Sequence, residues 1–408
     1  MHENYWMRLP TMRKHGSRVS LEALEERCLL SADMVMQWNR FAMNAVQNDY
    51  NVGQQSDQGG PTRTARALAI VQAAVYDAAD AVDPIYAPYL FSTQAQPGTS
   101  MDAAVAQAAH DTLVALFPQQ AATGTFEAEL TQSLQGIPLQ AAQLGEQLGM
   151  TVAAQMLAAR TNDGSGNSMT YTPGMDPGQW RPDPLHLTQT ALTPEWGAVT
   201  PFAIQNPAQY QVPAPPALTS SDYAAAFNFL QLIGGDGVIT NTLRKPSQTL
   251  IGNFWSYDGS PGLGTPPVEY NEITAIIAQQ EGNTPIQNAR LFALVNLAMA
   301  DAGIAAWFTK YTYNFWRPVA AIRESDPGTG PTGLAMATRI LMATLTARRS
   351  AAPWTTVIQT GRITRLRFRR TRPDTRRLGL PRSRSLPTST NRTTSLSPGR
   401  RMNTTEIP

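Results

Sequence analysis

Apolar side chains recur every three or four residues along most of the chain between positions 35 and 320. This is the spacing of one face of an α-helix. It predicts helices over residues 64–82, 101–117, 139–159, 221–233, 271–280 and 286–309. No stretch alternates apolar and polar residues as a half-buried strand does. The pattern therefore predicts an all-α fold, a helical bundle with almost no sheet.

Long connections rich in proline and glycine join the predicted helices, chiefly at residues 162–184 and 201–219. Connections of this length are uncommon in compact domains, where they usually serve binding or catalysis. The most apolar window, residues 291–308, is interrupted by Asn296 and Asp301 and barely reaches the length that crosses a bilayer. We interpret it as a buried bundle helix, and no transmembrane span is predicted.

Charge is distributed unevenly, although the net charge of the 408 residues is only +2. Residues 336–408 contain 16 arginines, no lysine and two acidic residues, which leaves 16 basic and 28 acidic residues for the rest of the chain. A basic, Ser/Thr/Pro-rich end of this kind is typical of disordered tails that bind nucleic acid or membranes.

The first 34 residues form a separate leader or disordered segment. Basic residues up to Arg18 precede an apolar stretch at 21–33, which three glutamates interrupt. A signal peptide of the usual kind has an unbroken apolar region. The stretch nevertheless resembles a leader that recurs on exported bacterial proteins, and this resemblance predicts an exported or extracytoplasmic protein. An amphipathic or disordered N-terminus is the alternative.

Cysteine and histidine are too sparse to form a metal site. Cys28 is the only cysteine, which excludes an intrachain disulfide and a cysteine-based metal centre. The four histidines, His2, His15, His110 and His186, show no ligand spacing. The sequence therefore predicts no metal ligands in this chain.

The stretch 306–318 is the most informative, because aromatic residues surround Lys310 and Arg317 there. The two cations are seven residues apart, so on a continuous helix both would share one face. Two fixed cations facing one point would bind a multiply charged oxyanion, to which arginine presents a planar fork of donors. The alternative is a surface lysine and an arginine paired with Asp301 or Glu324.

The pattern Lys-x6-Arg-Pro, formed by Lys310, Arg317 and Pro318, resembles the first of three motifs of the vanadium haloperoxidase and type 2 phosphatidic acid phosphatase superfamily. The wider string over 310–323 is similar to the bacterial haloperoxidase-like branch. Upstream segments agree with that branch in the same order, at residues 65–70, 75–78, 171–174, 179–182 and 196–202. The resemblance covers about residues 35–333 and implies an incomplete helical domain of the haloperoxidase and acid phosphatase type.

The resemblance implies that Lys310 and Arg317 bind the oxygens of vanadate or phosphate, and that Trp307 lines a halide and substrate pocket. The family's other motifs, Pro-Ser-Gly-His and Ser-Arg-x6-His, do not occur in the sequence. They supply an acid–base histidine and the histidine that ligates vanadium or attacks phosphorus. No histidine follows Lys310, and His110 and His186 are expected to be structural. Vanadate is the family's cofactor, but we expect this chain not to bind it.

A change of reading frame explains the arginine-rich segment 334–408. Each junction between neighbouring codons supplies one base of the first and two of the second. Read in this way, with permitted codons, residues 365–380 give Pro-Pro-Phe-Pro-Ala-Tyr-Thr-Ser-Gly-His-Ser-Thr-Phe-Gly-Ala, which contains the missing Ser-Gly-His core. Three junctions leave no choice: 336–337 and 342–343 must give glycine, and 402–403 must give glutamate; all three agree with the family. We interpret 334–408 as an out-of-frame, disordered tail that follows a slip between 327 and 336.

By resemblance, the sequence predicts a vanadium-dependent haloperoxidase-like protein that oxidises halide with hydrogen peroxide and is inactive in this reading frame. An acid phosphatase of the same superfamily, acting on a phosphate ester through a phosphorylated histidine, is the first alternative. Trp307 and the branch-specific string favour the haloperoxidase. A nonenzymatic protein whose basic tail binds nucleic acid or lipid is the second alternative. The frame-slip interpretation predicts no nucleic-acid partner, and the sequence does not indicate an oligomeric state.

Overall fold

A computed structural model describes residues 33–51, 56–183, 186–238 and 241–323 of the chain. Within these residues eleven α-helices follow one another, and no strand is present. They are α1 (Met34–Asn48), α2 (Pro61–Val82), α3 (Met101–Leu116), α4 (Pro118–Ala121), α5 (Thr125–Ser133), α6 (Leu139–Arg160), α7 (Ser221–Gly234), α8 (Pro246–Trp255), α9 (Pro266–Glu281), α10 (Pro285–Tyr313) and α11 (Pro318–Arg323). The predicted all-α class is confirmed for the described residues. The leader up to residue 32 and the segment 334–408 lie outside them, so the predictions for both remain predictions.

All six predicted helices are present, and their observed ends differ from the expected ones by a few residues. The largest difference is at α9, which begins at Pro266 rather than at residue 271. Proline fits the first turn of a helix because its fixed φ is helical and its missing N–H would have no partner there. The periodicity missed five helices: α1, α4, α5, α8 and α11.

Helix α2 lies at the centre of the bundle, and nearly all of its residues between Ala65 and Ala81 are buried. It packs against α3, α6 and α10. Helices α3 and α6 approach each other very closely, because a Cβ atom on Gly145 would lie only 2.6 Å from the Cβ of Ala103. Gly149 has the same close contact with Ala104, one turn further along. The small residues therefore determine how near these helices can come.

Helix α10 is the longest, with 29 residues. In the described part of the chain it is the one helix that is long and apolar enough to cross a membrane. It lies against α2 and α9 in the bundle. The side chain of Asn296 is fully buried and exchanges hydrogen bonds of 2.8 and 2.9 Å with that of Asn271. A paired amide of this kind is the arrangement expected of a bundle helix, because a buried polar group needs a partner.

Buried carboxylates attach the long connections to the bundle. Asp77 of α2 accepts hydrogen bonds of 2.7–2.9 Å from the backbone N–H groups of residues 89–91. Burial raises the pKa of Asp77, and the three backbone bonds oppose that rise. Asp49 accepts a bond of 2.5 Å from the Ser56 hydroxyl and bonds of 2.8 Å from the backbone N–H groups of residues 57 and 58. The loops thus obtain partners for their backbone donors without forming a sheet.

Candidate functional site

The predicted oxyanion site lies where α10 ends. Asn314 adopts the left-handed conformation, with φ 48° and ψ 38°, and its N–H bonds to the carbonyl of Lys310. Helix α11 begins only at Pro318. The helix is therefore not continuous from Lys310 to Arg317, and the expectation that their spacing places both on one helix face is wrong. Lys310 lies in the last turn of α10, and Arg317 lies beyond the break. Asparagine is favoured at such a position because it tolerates the left-handed conformation.

Lys310 lies against the indole of Trp307, one turn earlier on α10. Its Nζ is 3.6 Å from the centroid of the Trp307 ring, which is a close cation–π contact. The side chain as a whole is exposed, but its ammonium group is partly desolvated against the ring face. Desolvation lowers the pKa of Lys310, the positive charge of Arg317 lowers it further, and Asp258 opposes both. An anion bound here would relieve the repulsion between the two cations.

Arg317 is solvent-exposed and lies close enough to Lys310 for its charge to lower the lysine pKa. The alternative pairing of Arg317 with Asp301 is wrong, because the Asp301 carboxylate accepts bonds from the N–H groups of residues 202–204. Glu324, the other suggested partner, lies outside the described residues. Among the described residues, no carboxylate is within ion-pair distance of Lys310 or Arg317. Both cations are therefore available to an anion.

Asp258, which the sequence reasoning missed, lies near enough to Lys310 for the charge of each to shift the pKa of the other. It lies in a turn between α8 and α9, and the adjacent Gly259 has a φ of 68°. A Cβ atom on Gly259 would lie 2.9 Å from the ring of Tyr50, so the turn fits tightly against the end of α1. Burial raises the pKa of Asp258, and the charge of Lys310 lowers it. In the sequence, Asp258 is marked only by the turn in which it lies, and a turn does not indicate which charged side chain will be near it in the folded chain.

A hairpin-like segment holds the break between α10 and α11 from one side. The N–H of Trp180 donates to the Asn314 carbonyl at 2.9 Å, and the N–H of Trp316 donates to the Gly178 carbonyl at 2.9 Å. The hydroxyl of Tyr171 donates to the side chain of Asn314. The segments 171–174 and 179–182, which carried part of the family resemblance, thus lie directly beside the Lys310–Arg317 pair.

The segment 196–202 holds α10 from another side. Trp196 is buried in a small cluster with Ile304 of α10, and Gly197 lies against the backbone of Phe308. Two turns earlier, Asp301 receives the N–H groups of residues 202–204 at 2.7, 2.8 and 2.9 Å. Two separate contacts therefore attach this connection to the helix that carries Lys310.

A buried ion triad anchors the start of the same connection. One oxygen of Asp163 lies 2.7 Å from Arg66 of α2 and 2.8 Å from Arg160 of α6. Burial opposes ionisation of Asp163, but the hydrogen bonds and the positive charge of Arg66 dominate, and its pKa is lowered. Arg160 also donates to the carbonyls of Thr200 and Pro201 at 2.6 and 3.2 Å. The ends of the 162–200 segment are thereby tied together beside the bundle.

Trp307, the predicted halide-pocket residue, is fixed at both its ring face and its ring edge. Its Nε1 donates to the carbonyl of Leu192 at 3.0 Å, and the hydroxyl of Tyr311 donates to the same carbonyl at 2.8 Å. Trp307 also lines an open groove of about 780 Å³ between α10 and residues 167–169 and 194–198. The indole thus contacts both Lys310 and the groove. Its halide role stays a prediction.

Neither of the two described histidines makes a hydrogen bond or ion pair with Lys310 or Arg317. His110 is buried in the bundle, with its Nδ1 2.8 Å from Asp111 and its ring edge-on to Trp38. His186 is exposed in the connection that follows α6. The structural roles predicted for the two histidines stay predictions.

Comparison with known proteins points to one group. Residues 290–339 match the family model of the VCPO second helical-bundle domain. Vanadium chloroperoxidase of Curvularia inaequalis is 38% identical over 146 residues, which cover 32% of this chain and 24% of that enzyme. The chain thus matches about a quarter of that relative's length. The crystal structure of a bacterial vanadium-dependent iodoperoxidase superposes with a TM-score of 0.60 at 19% identity, over 71% of this chain and 72% of that one. This likeness shows a shared helical fold.

Proposed function

We propose that this chain, which is vanadium haloperoxidase-like in its fold and over residues 290–339, carries the oxyanion-binding part of a site for peroxide-dependent halide oxidation. The overall reaction consumes hydrogen peroxide, a halide ion and a proton, and it yields hypohalous acid and water. Lys310 and Arg317 are the residues assigned to the oxyanion, and Trp307 is assigned to the halide side.

The observation that carries the proposal is the position of the Lys310 ammonium, 3.6 Å from the Trp307 ring centroid and near a second cation. A surface lysine that served solubility alone would extend into water, because burying its charge is unfavourable. A partly desolvated lysine beside a second cation and an aromatic wall instead suits a multiply charged oxyanion. The contacts of two connections support this. Residues 171–182 bond to the backbone after Lys310, and residues 196–202 bond to α10 before it.

The residues present fit the oxygens of vanadate but supply only part of its site. Arg317 offers two parallel N–H donors to the anion, and Lys310 offers a third donor at Nζ. When bound, vanadate would act as the Lewis acid that activates hydrogen peroxide. Lys310 would hold its proton at Nζ and donate a hydrogen bond to the oxyanion, while the ring of Trp307 would keep water from one side of the ammonium.

The family's ligating histidine belongs to a motif that this reading frame does not contain. We infer that the reading frame slips between residues 327 and 336, that the frame-restored chain completes the site, and that the chain as it reads is inactive.

The test compares the chain as it reads with a frame-restored protein. We expect vanadate-dependent bromination of a reporter dye only in the restored protein, and we expect Lys310→Ala and Arg317→Ala to abolish it. Release of phosphate from a phosphate ester without halide oxidation would instead identify an acid phosphatase. Halide oxidation by the unrestored chain at the rate of the restored protein would contradict the inactivity. Salt-sensitive DNA binding by the unrestored chain would favour a basic-tailed binding protein.

A further inference from the structure

A cavity of about 190 Å³ lies between α1 and α9, two helices that contact each other in the bundle. Near the end of α1 the fit is close, because a Cβ atom on Gly264, just before α9, would lie 3.0 Å from the side chain of Val46. Ala275, the small residue of α9 that lines the cavity, leaves the space beside it unfilled. Packed helices normally leave few voids, so an unfilled space of this size suggests an occupant.

The face of α1 that lines the cavity is mostly polar. Six residues at helical spacing form it: Met36, Asn39, Arg40, Met43, Asn44 and Gln47. The contact between two bundle helices is ordinarily apolar. Here the two methionines are adaptable apolar side chains, whereas the other four side chains carry hydrogen-bonding groups. This composition suits a small molecule that has both polar and apolar parts.

Asn39 brings a buried amide to the cavity. Its side chain is only 3% exposed, and its oxygen accepts a hydrogen bond of 2.9 Å from Gln72 of α2. This bond fixes the amide and directs its oxygen towards α2. The amide nitrogen makes no hydrogen bond with another described residue, so its N–H groups can donate to a molecule in the cavity.

Arg40 and Glu272 place opposite charges on the two walls of the cavity. Arg40 belongs to α1 and Glu272 to α9, and both line the space without forming an ion pair with each other or with any other described residue. Burial and the charge of Glu269 raise the pKa of Glu272, so a cation beside Glu272 would stabilise its charged form. A molecule that bridges the walls would therefore need an anionic group and a cationic group.

We propose that this cavity binds a small zwitterion, an α-amino acid with an aliphatic side chain. Its carboxylate would accept hydrogen bonds from Arg40 and Asn39, and its ammonium group would pair with Glu272. Its side chain would lie against Met36 and Met43. Sites for drug-sized ligands have volumes of roughly 300–1,000 Å³, so this smaller cavity suits a free amino acid better than a peptide. The proposal uses none of the residues assigned to halide oxidation and is independent of it.

The test of binding uses the full chain and leucine as the probe, with two matched ligands that each lack one charge. Isocaproate lacks the ammonium group, and isoamylamine lacks the carboxylate. Affinities are measured by saturation-transfer NMR up to about 10 mM ligand. We expect saturable leucine binding and at least about fivefold weaker binding of both matched ligands, because each has lost a charge-assisted hydrogen bond. Equal affinities for the three ligands, or no saturable leucine binding, would overturn the proposal.

Two variants test the assigned orientation. Glu272→Gln should weaken leucine binding about fivefold and leave isocaproate binding unchanged, because isocaproate has no ammonium group. Arg40→Gln should weaken leucine and isocaproate binding and leave isoamylamine binding unchanged. Unfolding of either variant would instead weaken the binding of all three ligands. If Glu272→Gln weakened isocaproate as much as leucine, the pairing of Glu272 with the ammonium group would be wrong.

A further pair of variants tests the location. Asn44 is exposed and lines the cavity, so Asn44→Trp should fill its mouth without disturbing the core, and leucine affinity should fall at least about tenfold. Asn48, an exposed asparagine one turn further along α1, is not among the lining residues. The matched control Asn48→Trp should therefore bind leucine normally. Unchanged leucine affinity in Asn44→Trp would show that the binding site lies elsewhere and would overturn the proposal.

Discussion

Gly197 and Phe308 lie in direct contact, so that a Cβ atom on Gly197 would stand 2.6 Å from the Cα of Phe308. Because that neighbour is helix backbone, it cannot move aside as a flexible side chain could. We predict that Gly197→Ala lowers the free energy of unfolding, measured by urea titration, by roughly 1–3 kcal/mol. A Cβ atom on Gly166 would have no other atom within 4 Å, so Gly166→Ala is the matched control and should be nearly neutral. Equal effects of the two substitutions would contradict the close contact.

Asp301 is predicted to be the main attachment of residues 202–204 to α10. One carboxylate oxygen of Asp301 accepts two of the three backbone N–H groups, and the other accepts the third. Asp301→Asn keeps the size of the side chain but replaces one of these oxygens with an NH₂ group. An amide NH₂ would then face a backbone donor, and we expect a loss of about 2–4 kcal/mol in the free energy of unfolding. Asp222→Asn, at an exposed position in the first turn of α7, is the control. A change below about 0.5 kcal/mol in Asp301→Asn would show that the backbone bonds add little stability.

The charge state of Lys310 should report on both of its neighbours. Desolvation and Arg317 lower the pKa of Lys310, and both disfavour its charged form. We expect the pH dependence of amine labelling at Lys310, followed by mass spectrometry, to lie at lower pH in the folded chain than in urea. Arg317→Gln removes a repelling cation, so the pKa should rise and labelling at a fixed pH should slow about threefold.

Asp258→Asn provides the opposite change at the same lysine. The carboxylate of Asp258 favours the charged form of Lys310, so its removal should lower the pKa further and speed up labelling. The two substitutions are expected to shift the pKa of Lys310 in opposite directions. Partial unfolding of the variants would not produce opposite shifts. If Arg317→Gln left the labelling profile of Lys310 unchanged, the two cations would not share a site.

If the reading frame slips as proposed, restoring it should create halide oxidation. The anion-binding groups and histidines of the second and third motifs act together with Lys310 and Arg317 in the proposed site. Loss of one preorganised donor commonly costs a factor of about 10²–10³ in rate, so loss of two motifs should leave halide oxidation at least about a thousandfold lower. Sequencing the DNA that encodes residues 327–336 checks the premise independently. An unbroken frame through those codons would contradict the slip.

The exposed apolar residues of α8 are predicted to bind hydrophobic molecules. No residue of α8 is buried, and Leu250, Ile251, Phe254 and Trp255 are each at least half exposed. Contiguous apolar surface of this kind binds hydrophobic dyes and promotes association. We expect the chain to bind anilinonaphthalene sulfonate, and we expect Ile251→Ser combined with Phe254→Ser to reduce the fluorescence by about half. Leu139→Ser, at an exposed leucine on α6, is the control and should have no effect.

The frame-restored protein should bind less of the same dye. If the restored segment completes the helical domain, it is expected to cover apolar surface that the present chain leaves exposed. Equal dye binding by the two proteins would show that α8 stays uncovered for another reason.

The sequence by itself determined the helical class and the positions of six of the helices. These features depend on a short-range property, the 3.6-residue period of apolar side chains. The sequence also identified the segments 171–182 and 196–202, but only through a family resemblance, because no periodicity marks them.

Only the tertiary structure decided how these parts meet. The helix break at Asn314 removed the simple relation between spacing and face, and the backbone bonds of residues 171–182 to Asn314 and Trp316 hold Arg317 near Lys310. Asp258 is about fifty residues from Lys310 along the chain, and Leu192 is more than a hundred residues from Trp307. Such pairs arise from packing between distant segments, which depends on the whole bundle and on close contacts such as Gly197 against Phe308. Local sequence patterns carry no record of those distances, so the opposing carboxylate and the groove could be found only in the folded chain.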